Sequence, residues 1–245
     1  MYGTDRSSIR FVLVTLAVLW TVAVICAIFA LGPIPLVVTV VGLYIAFVVY
    51  GFREKRPVVW LWLAIGLVAG IVEVWSNCDD YLVVVEQVLV YPDTFPKIGV
   101  SPAYLPVAWG LVFTQLGLIG DWFRRNNTLL RAMILTALTG GALIMIFENL
   151  AHPAQWWYYQ NTPMLFYAPL FVNLFEFLST AVLVLIGWSI ARGAKDPDNP
   201  TKPAVTGWAI FGGFVLGIWM CVAMRFGYWM LGPCEGAVIQ FACSP

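Results

Sequence analysis

Three glutamates interrupt long apolar stretches of this chain: Glu73, Glu148 and Glu176. The sequence is 61% hydrophobic and only 11% charged, so these side chains stand where water is expected to be scarce. Ionisable residues inside a membrane are costly to insert and commonly mark a functional site. A carboxyl group in a low-dielectric pocket tends to keep its proton, and a neutral acid of this kind can donate that proton to a substrate. The three residues therefore predict a site of acid–base chemistry.

Arg225 lies in the last apolar stretch and is the expected partner of one of these carboxylates. An arginine beside a carboxylate holds that group ionised, and one protonated and one ionised group make a workable acid–base pair. A second interpretation stays open. In it, Glu176 and Arg225 form a structural ion pair, and Glu73 and Glu148 simply reach water at the membrane surface.

Membrane-spanning helices must position these residues. A hydrocarbon core of ~30 Å needs ~20 apolar residues per helix, and lipid offers backbone groups no hydrogen-bond partner, so each span should be helical. The pattern predicts an all-α integral membrane protein, a bundle of about seven transmembrane helices in one polytopic domain over residues 1–245. The expected spans are 11–31, 33–51, 58–77, 103–123, 129–150, 166–191 and 205–231.

The distribution of basic residues predicts the orientation of the bundle. With seven spans, all lysines and arginines apart from Lys97 and Arg225 fall on one side or at its helix ends. The positive-inside rule then puts the N-terminus in the cytoplasm and the C-terminus outside. We expect a bacterial or archaeal cytoplasmic membrane. The formal net charge is zero, which gives a nucleic-acid partner no electrostatic support.

The cysteines predict a disulfide rather than a metal site. Cys234 and Cys243 share the expected outer tail, where an oxidising compartment would favour a bond between them; two free thiols are the alternative. Cys26 and Cys221 are expected to be small packing residues inside helices. No Cys/His spacing typical of zinc is present, so no metal and no cofactor are expected.

The outer connections hold a second group of candidate residues. Segment 79–102 contains an apolar stretch, residues 82–90, that is too short to span a membrane. The segment should therefore lie in the interface or fold back over the helices as a lid. The aromatic run 156–159 is either an interfacial belt or a wall for a greasy or cationic ligand. His152, four residues after Glu148, is either a helix-end structural residue or part of the site.

Segments 58–123 and 129–191 are similar and predict a weak internal repeat. Each has an acidic helix end, an aromatic or proline-rich outer segment, and then Tyr-x-Pro opening a new helix. The matching positions are Glu73, Tyr104, Pro106 and Trp109 in the first segment, and Glu148, Tyr167, Pro169 and Asn173 in the second. A parallel repeat of this kind would bring one carboxylate from each half to a shared interface.

Two motifs within these segments point to a known family. In the first, Glu73 precedes Tyr91-Pro92-Asp93, Gly99-Val100 and the stretch from Pro106 to Trp109. In the second, Glu148 precedes Pro153, the aromatic residues 157–159, Pro169 and Asn173. Over residues 73–188 the chain resembles the carotenoid biosynthesis membrane-protein family that includes the bisanhydrobacterioruberin hydratases.

The resemblance implies hydration of a carbon–carbon double bond in a long isoprenoid, which is the work of a hydratase, a lyase. Protonating an alkene needs a positioned acid and an aromatic or anionic lining for the carbocation; a terpene or carotenoid cyclase begins with the same step. The expected catalytic residues are Glu73, Glu148, Glu176 and Arg225. The expected substrate-binding residues are Trp109, His152, Trp156, Trp157, Tyr159, Tyr167 and Asn173.

Two other classes of function stay open. A non-enzymatic lipid- or pigment-binding protein, or an accessory subunit of a larger membrane complex, would fit the aromatic content of 16%. A small proton-coupled transporter would use Glu176 and Arg225. The expected partners are a lipophilic small molecule and membrane lipids, and a homo-oligomer is a further alternative.

Overall fold

Long helices dominate the fold. The structure is a computed structural model and describes residues 4–76, 78–193 and 202–233. The long helices are α1 (Arg6–Phe29), α2 (Pro33–Arg53), α3 (Pro57–Trp75), α4 (Leu105–Asn126), α5 (Leu129–Ala151), α6 (Leu170–Gly193) and α7 (Lys202–Leu231). In the part of the chain that is described, six of these helices, all but α4, are long and apolar enough to cross a membrane. The prediction of an all-α membrane protein is confirmed at this level.

Helix α4 differs from the other six in composition and in position. It spans 22 residues but carries Thr114, Gln115 and Asp121, which make it less apolar. Its residues 110, 111 and 113–120 are all buried, and it contacts α1, α2, α3, α5 and α6. Because neighbouring helices surround α4, its polar groups are kept away from lipid. The least hydrophobic of the long helices is therefore the one at the centre of the bundle.

Glycines allow α3 to pack closely on both α4 and α7. A Cβ added at Gly66 would lie 2.7 Å from the carbonyl oxygen of Gly110 in α4. One added at Gly213 of α7 would lie 2.7 Å from the carbonyl oxygen of Ile65 in α3. Small residues at such positions let membrane helices approach to backbone contact. Helix α3, which carries Glu73, is thereby fixed between its two neighbours.

The side chain of Trp62 closes the bundle below Glu73. Trp62 points from α3 and is only 2% exposed. Its ring lies against Gly117 of α4 and Gly187 of α6, so that a Cβ at either glycine would overlap the ring. Leu118, next to Gly117, and Leu183, about one helical turn before Gly187, are also buried, and we call this group the Trp62 layer.

Substituting Gly117 with alanine is expected to destabilise the protein by about 1–3 kcal/mol, because the new methyl group overlaps a ring that has no free space to move into. The matched control is Gly42→Ala in α2, where nothing lies within 4 Å of the added Cβ. Alanine gains up to about 1 kcal/mol of helix propensity over glycine there. Thermal unfolding of the detergent-solubilised proteins measures both effects. Equal midpoints for the two variants would show that the Trp62 layer is not rigid.

Two long connections, 76–104 and 152–169, lie at the same end of the bundle, which we call the loop end. The opposite, basic end carries Arg53, Arg56, Arg124 and Arg125. The first connection begins with one α-helical turn, Cys78–Asp80, and a π-helical turn, Tyr81–Val85. The strands are β1 (Leu89–Val90), β2 (Lys97–Ile98), β3 (Ser101–Pro102), β4 (Tyr158–Tyr159), β5 (Met164–Leu165) and β6 (Ala168–Pro169).

Pairing of β1 with β4 joins the two connections into a single cap. The strands are antiparallel, with Leu89 opposite Tyr159 and Val90 opposite Tyr158. Leu82, Val88 and Leu89 of the first connection are buried, so this segment folds back onto the helices. Of the two arrangements that the sequence allowed for segment 79–102, the structure has the one that covers the bundle.

The two connections also share their internal order. Each has a strand of the β1–β4 pair, and then a hairpin, β2–β3 or β5–β6, that ends in proline shortly before the next helix. The predicted Tyr-x-Pro equivalence is wrong in detail, because Tyr104 precedes α4 after its hairpin while Tyr167 lies in the turn of a hairpin. For the same reason α6 begins at Leu170 and not at 166. The repeat itself stays a prediction, which these paired hairpins support.

Candidate functional site

Four carboxyl groups line one cavity beneath the cap. They belong to Glu73 of α3, Asp79 of the first connection, Glu148 of α5 and Glu176 of α6. The cavity has a volume of about 120 Å³. Most of the remaining wall is apolar or aromatic. No lysine, arginine or histidine is among the described residues that line it. The three glutamates singled out in the sequence are therefore brought together, with an aspartate that was not expected.

The carboxyl groups of Glu73 and Asp79 lie close enough to form a hydrogen bond with each other when one of them carries a proton. Asp79 Oδ2 also accepts hydrogen bonds from the Ser101 hydroxyl at 2.6 Å and the Tyr91 hydroxyl at 3.0 Å. Because these donors favour negative charge on Asp79, Glu73 is the favoured donor in a hydrogen bond between the two carboxyls. Glu73 Oε2 has no hydrogen-bond partner among the described residues and is buried.

Burial and hydrogen bonding have opposite effects on the pKa of Asp79. Burial raises the pKa of the Asp79 carboxyl, and the hydrogen bonds from Ser101 and Tyr91 oppose that rise. The pKa of Tyr91 is itself raised, first by burial and then by the nearby Asp79 carboxyl, so its hydroxyl remains a donor. Two carboxyls thus lie side by side in an enclosure that is mostly apolar apart from its acidic side chains. Neighbouring Ser101 and Tyr91 donors, rather than Arg225, favour an ionised carboxylate beside a protonated one.

Glu148 is held as a hydrogen-bond acceptor. Its Oε2 accepts from the indole N–H of Trp157 at 2.7 Å, and its carboxyl also bonds the hydroxyl of Tyr159. Burial and the neighbouring Glu148 raise the pKa of Tyr159, which keeps that hydroxyl protonated. Both aromatic residues come from the second connection and line the cavity. At these two positions the aromatic run forms a wall of the site rather than an interfacial belt.

Glu176 lies on the closed side of the cavity with little hydrogen bonding. It is 1% exposed, and its Oε2 has no partner among the described residues. It interacts electrostatically with Glu148 and Glu73. Asn173, predicted on the same helix face, has a buried Oδ1 but does not line the cavity. Glu176 therefore presents a bare carboxyl oxygen to the interior.

The predicted pairing of Arg225 with Glu176 is wrong. Arg225 is exposed on α7, and its guanidinium lies over the ring of Tyr81, 5.2 Å from the centroid. The residue of α7 that lines the cavity is instead Met224, whose side chain is buried. An arginine on the outside of the bundle can reach the membrane surface, whereas one facing the cavity would have to be desolvated. Arg225 is therefore not part of the site.

Three of the seven predicted substrate-binding residues line the cavity, namely Trp109, Trp157 and Tyr159. His152 is exposed and its ring stacks on that of Tyr167, also exposed, at 4.4 Å. Trp156 is buried, but its indole N–H donates to the carbonyl of Gly32 at 2.8 Å. It thereby ties the second connection to the turn between α1 and α2, which is a structural role. Within the described residues, no group of histidine, cysteine and acidic side chains is arranged to hold a metal ion.

Asp79 is the functional candidate that the sequence did not identify. It follows α3 in a connection that was expected either to lie in the interface or to fold back over the helices. The one available signal was the apolar stretch 82–90, too short to span, which must fold back and so turns the preceding residues inward. Tyr91 and Ser101 are brought to Asp79 by the same fold. Only the tertiary structure shows which of the polar residues before that stretch faces the cavity.

A disulfide joins Cys78 to Cys221 and ties the turn that carries Asp79 to α7. The prediction that Cys221 is a packing residue is therefore wrong, while Cys26 is free and buried as expected. The two cysteines lie 143 residues apart in sequence, so spacing gave no sign of their proximity. The other predicted pair, Cys234 and Cys243, lies outside the described residues.

Cys221→Ser is expected to lower the free energy of unfolding by about 2–4 kcal/mol, the usual contribution of a disulfide that closes a long loop. The thermal midpoint of the natural protein should fall on reduction, whereas that of Cys221→Ser should not respond to reductant. Cys26→Ala is the matched control and should keep the full response. Mass mapping without reduction should recover the linked Cys78 and Cys221 peptides. Free thiols at both positions would contradict the bond.

Comparison with curated proteins gave no match, and comparison with solved structures gave none either. A family model does match, over residues 77–231, which is more than half of the chain. The matched region contains α4 to α7 and both connections of the cap, with Asp79, Glu148 and Glu176, and it begins just after Glu73. The chain belongs to the family described as a domain of unknown function, DUF6989.

Proposed function

We propose that this protein is an integral-membrane enzyme that protonates a carbon–carbon double bond of a lipophilic isoprenoid, leading to hydration or cyclisation. One observation carries the proposal. The Glu73 carboxyl lies beside that of Asp79 and has an unpartnered oxygen, in a cavity whose wall is mostly apolar or aromatic apart from its acidic side chains. A buried neutral carboxyl is the kind of acid that proton transfer to an alkene requires.

The cavity suits the cation that such a protonation creates. Trp109 and Phe175 line it with their rings set edge to face at 6.4 Å, and aromatic faces attract cations. Its described lining carries no basic side chain to repel a positive charge. Glu148, held by hydrogen bonds from Trp157 and Tyr159, places a carboxyl group in the same space. Stabilising groups are thus in place before charge develops, which is the most effective electrostatic arrangement.

Each role can then be assigned. Glu73 gives its proton to the double bond, and Asp79 keeps the acid in position. Glu148 stabilises the carbocation and takes the proton released when water adds or when a new carbon–carbon bond forms and a double bond is restored. Glu176 supports the cation from the closed side. The sequence resemblance favours addition of water over cyclisation.

Orientation of the bundle belongs to the same proposal. The loop end, with the cap and the acids, faces outward, and the basic end faces the cytoplasm. Arginines at the basic end support this under the positive-inside rule. The Cys78–Cys221 bond supports it independently, since disulfides persist in oxidising compartments. Re-protonation of the acid pair then proceeds from the outer side.

A lipid- or pigment-binding protein is the second candidate, favoured by the apolar wall of the cavity. A proton-coupled transporter has less support, because the Trp62 layer with Gly117 and Gly187 closes the bundle between the acids and the basic end. A transported solute would need a path through that layer.

The test is expression in a bacterial strain that accumulates a linear carotenoid, with pigments extracted and analysed by liquid chromatography–mass spectrometry. A product heavier by one water, absent with Glu73→Gln, would establish a hydratase. A product of unchanged mass but altered retention would establish a cyclase or isomerase. Stoichiometric copurification of the unchanged pigment, with no product, would replace the enzyme by the binding protein.

A further inference from the structure

The cavity is least covered on one side of the bundle. Its half-buried lining residues on the long helices all belong to α1, α4 and α5, and they include Leu16, Trp20, Val112, Leu143 and Phe147. The residues that α3, α6 and α7 contribute are buried. The acids of α3 and α6 thus lie on the closed side, while α1 covers the opposite side by lying over α4 and α5.

Polar contacts fix α1 at two levels, one nearer the basic end than the uncovered side of the cavity and one at the loop end. At the first level, the amide of Gln115 in α4 donates to the hydroxyl of Thr15 at 3.2 Å, with both groups buried. At the second, Gly32 bonds the second connection through Ala154 and Trp156. These contacts hold the position of α1 at two levels and leave the stretch around Trp20 between them.

At the level of the cavity, α1 and α5 meet through aromatic rings. The rings of Trp20 and Phe147 lie edge to face with their centroids 6.2 Å apart. An aromatic pair of this kind adds only a small stabilisation beyond that of its buried area. Such a contact can open by a side-chain rotation while the polar contacts above and below keep α1 in place.

We propose that Trp20 and Phe147 close a lateral opening through which the hydrocarbon chain of the substrate passes from the bilayer into the cavity. The identity of that substrate as an isoprenoid rests on the proposed function. Helices α1 and α5 are both apolar enough to span a membrane. Their outer faces expose residues such as Val24 and Leu138, so a lipid-dissolved chain reaches the opening without crossing water.

The direction of approach limits the kind of substrate. A chain that enters between α1 and α5 meets Leu16 and Leu143 first and the acids of α3 and α6 last. It must be slender enough to pass between two helices, so a linear chain fits and a polycyclic one does not. The end that enters first is the end that reaches Glu73, while the remainder of the chain stays in the opening or in the bilayer.

The opening can be tested by photolabelling, without any turnover. The protein is placed in phosphatidylcholine nanodiscs that contain a diazirine-tagged linear prenyl alcohol, irradiated, and mapped by mass spectrometry. We expect label on the α4 peptide that contains Trp109 and Val112, and severalfold more of it in Trp20→Ala. Trp20→Phe keeps a ring at the opening and should label like the natural protein. Trp208→Ala is the matched control, since Trp208 is a 51% exposed tryptophan of α7 outside the cavity lining.

Label confined to lipid-facing positions such as Leu138, and unchanged by Trp20→Ala, would overturn the opening. An equal gain in Trp208→Ala would do the same, because it would show general loosening of the bundle. Glu73→Gln should label like the natural protein, since the acid is not needed for a chain to enter. Failure of the catalytic proposal therefore leaves the labelling result intact, and failure of the labelling leaves the product analysis intact.

Discussion

Replacing Glu73 with glutamine is expected to lower the rate of product formation by about 10²–10⁴-fold, the usual contribution of a general acid. Glutamine has the size of glutamate, and its amide N–H can still donate to Asp79, so the cap and the cavity should keep their shape. An amide cannot transfer a proton to an alkene, however. The measurement is the initial rate of substrate loss in membranes that contain equal amounts of the two proteins.

Glu54→Gln is the matched control for this experiment. Glu54 is exposed at the basic end of α2, so the same substitution there should leave the rate unchanged. The thermal midpoint and the Cys78–Cys221 bond of Glu73→Gln should be those of the natural protein, which separates loss of the acid from loss of the fold. A Glu73→Gln protein that turns over at the natural rate would remove Glu73 from the mechanism.

Glu148→Gln is expected to lower the rate by about 10²–10³-fold and to change the products as well. The amide oxygen can still accept from Trp157, so the geometry is kept while the negative charge is lost. A carbocation formed by Glu73 then lacks its counter-charge and its proton acceptor, and is quenched at other positions. Single-turnover reactions analysed by mass and retention time should show new isomers beside the natural product. Glu73→Gln, by contrast, should give less of every product.

Trp157→Phe separates the charge of Glu148 from its positioning. This variant keeps the carboxylate and removes one hydrogen bond, which to a charged group is worth about 1.5–3 kcal/mol. Its loss of rate should be smaller than that of Glu148→Gln, and its product ratio closer to the natural one. If Glu148→Gln kept both the natural rate and the natural product ratio, the carboxylate would have no part in the chemistry.

The sequence predicted the helices well because the length of an apolar stretch is a local property. It also placed Glu73, Glu148 and Glu176 at compatible heights, because three apolar stretches with known direction fix depth in a bilayer. What it could not supply was the direction in which each side chain points. Helix α7 is apolar on all sides, so nothing in its pattern distinguishes Met224, which faces the cavity, from Arg225, which faces outward.

The residues that sequence reasoning missed are those placed by the connections. Asp79 is held in the site by hydrogen bonds from Tyr91 and Ser101, and Cys78 is bonded to Cys221, 143 residues further along the chain. Neither arrangement leaves a periodic pattern. The hairpins show in addition that a shared local motif does not ensure a shared position. Tyr104 and Tyr167 have the same motif but occupy different places in the fold. Local similarity in the sequence indicated which segments of the two halves correspond. Only the structure showed which residue of one half matches which residue of the other.

The β1–β4 pair has a consequence for the order in which the protein becomes competent during synthesis. Leu89 cannot meet Tyr159 until the ribosome has made α4, α5 and the start of the second connection. Until then Glu73 is present in a nascent membrane helix without its cap, without Glu148 and without Glu176. A truncated chain that ends before residue 158 would therefore carry the acid but no enclosed space in which to use it. Completion of the cavity is in this way tied to translation of the second half of the message.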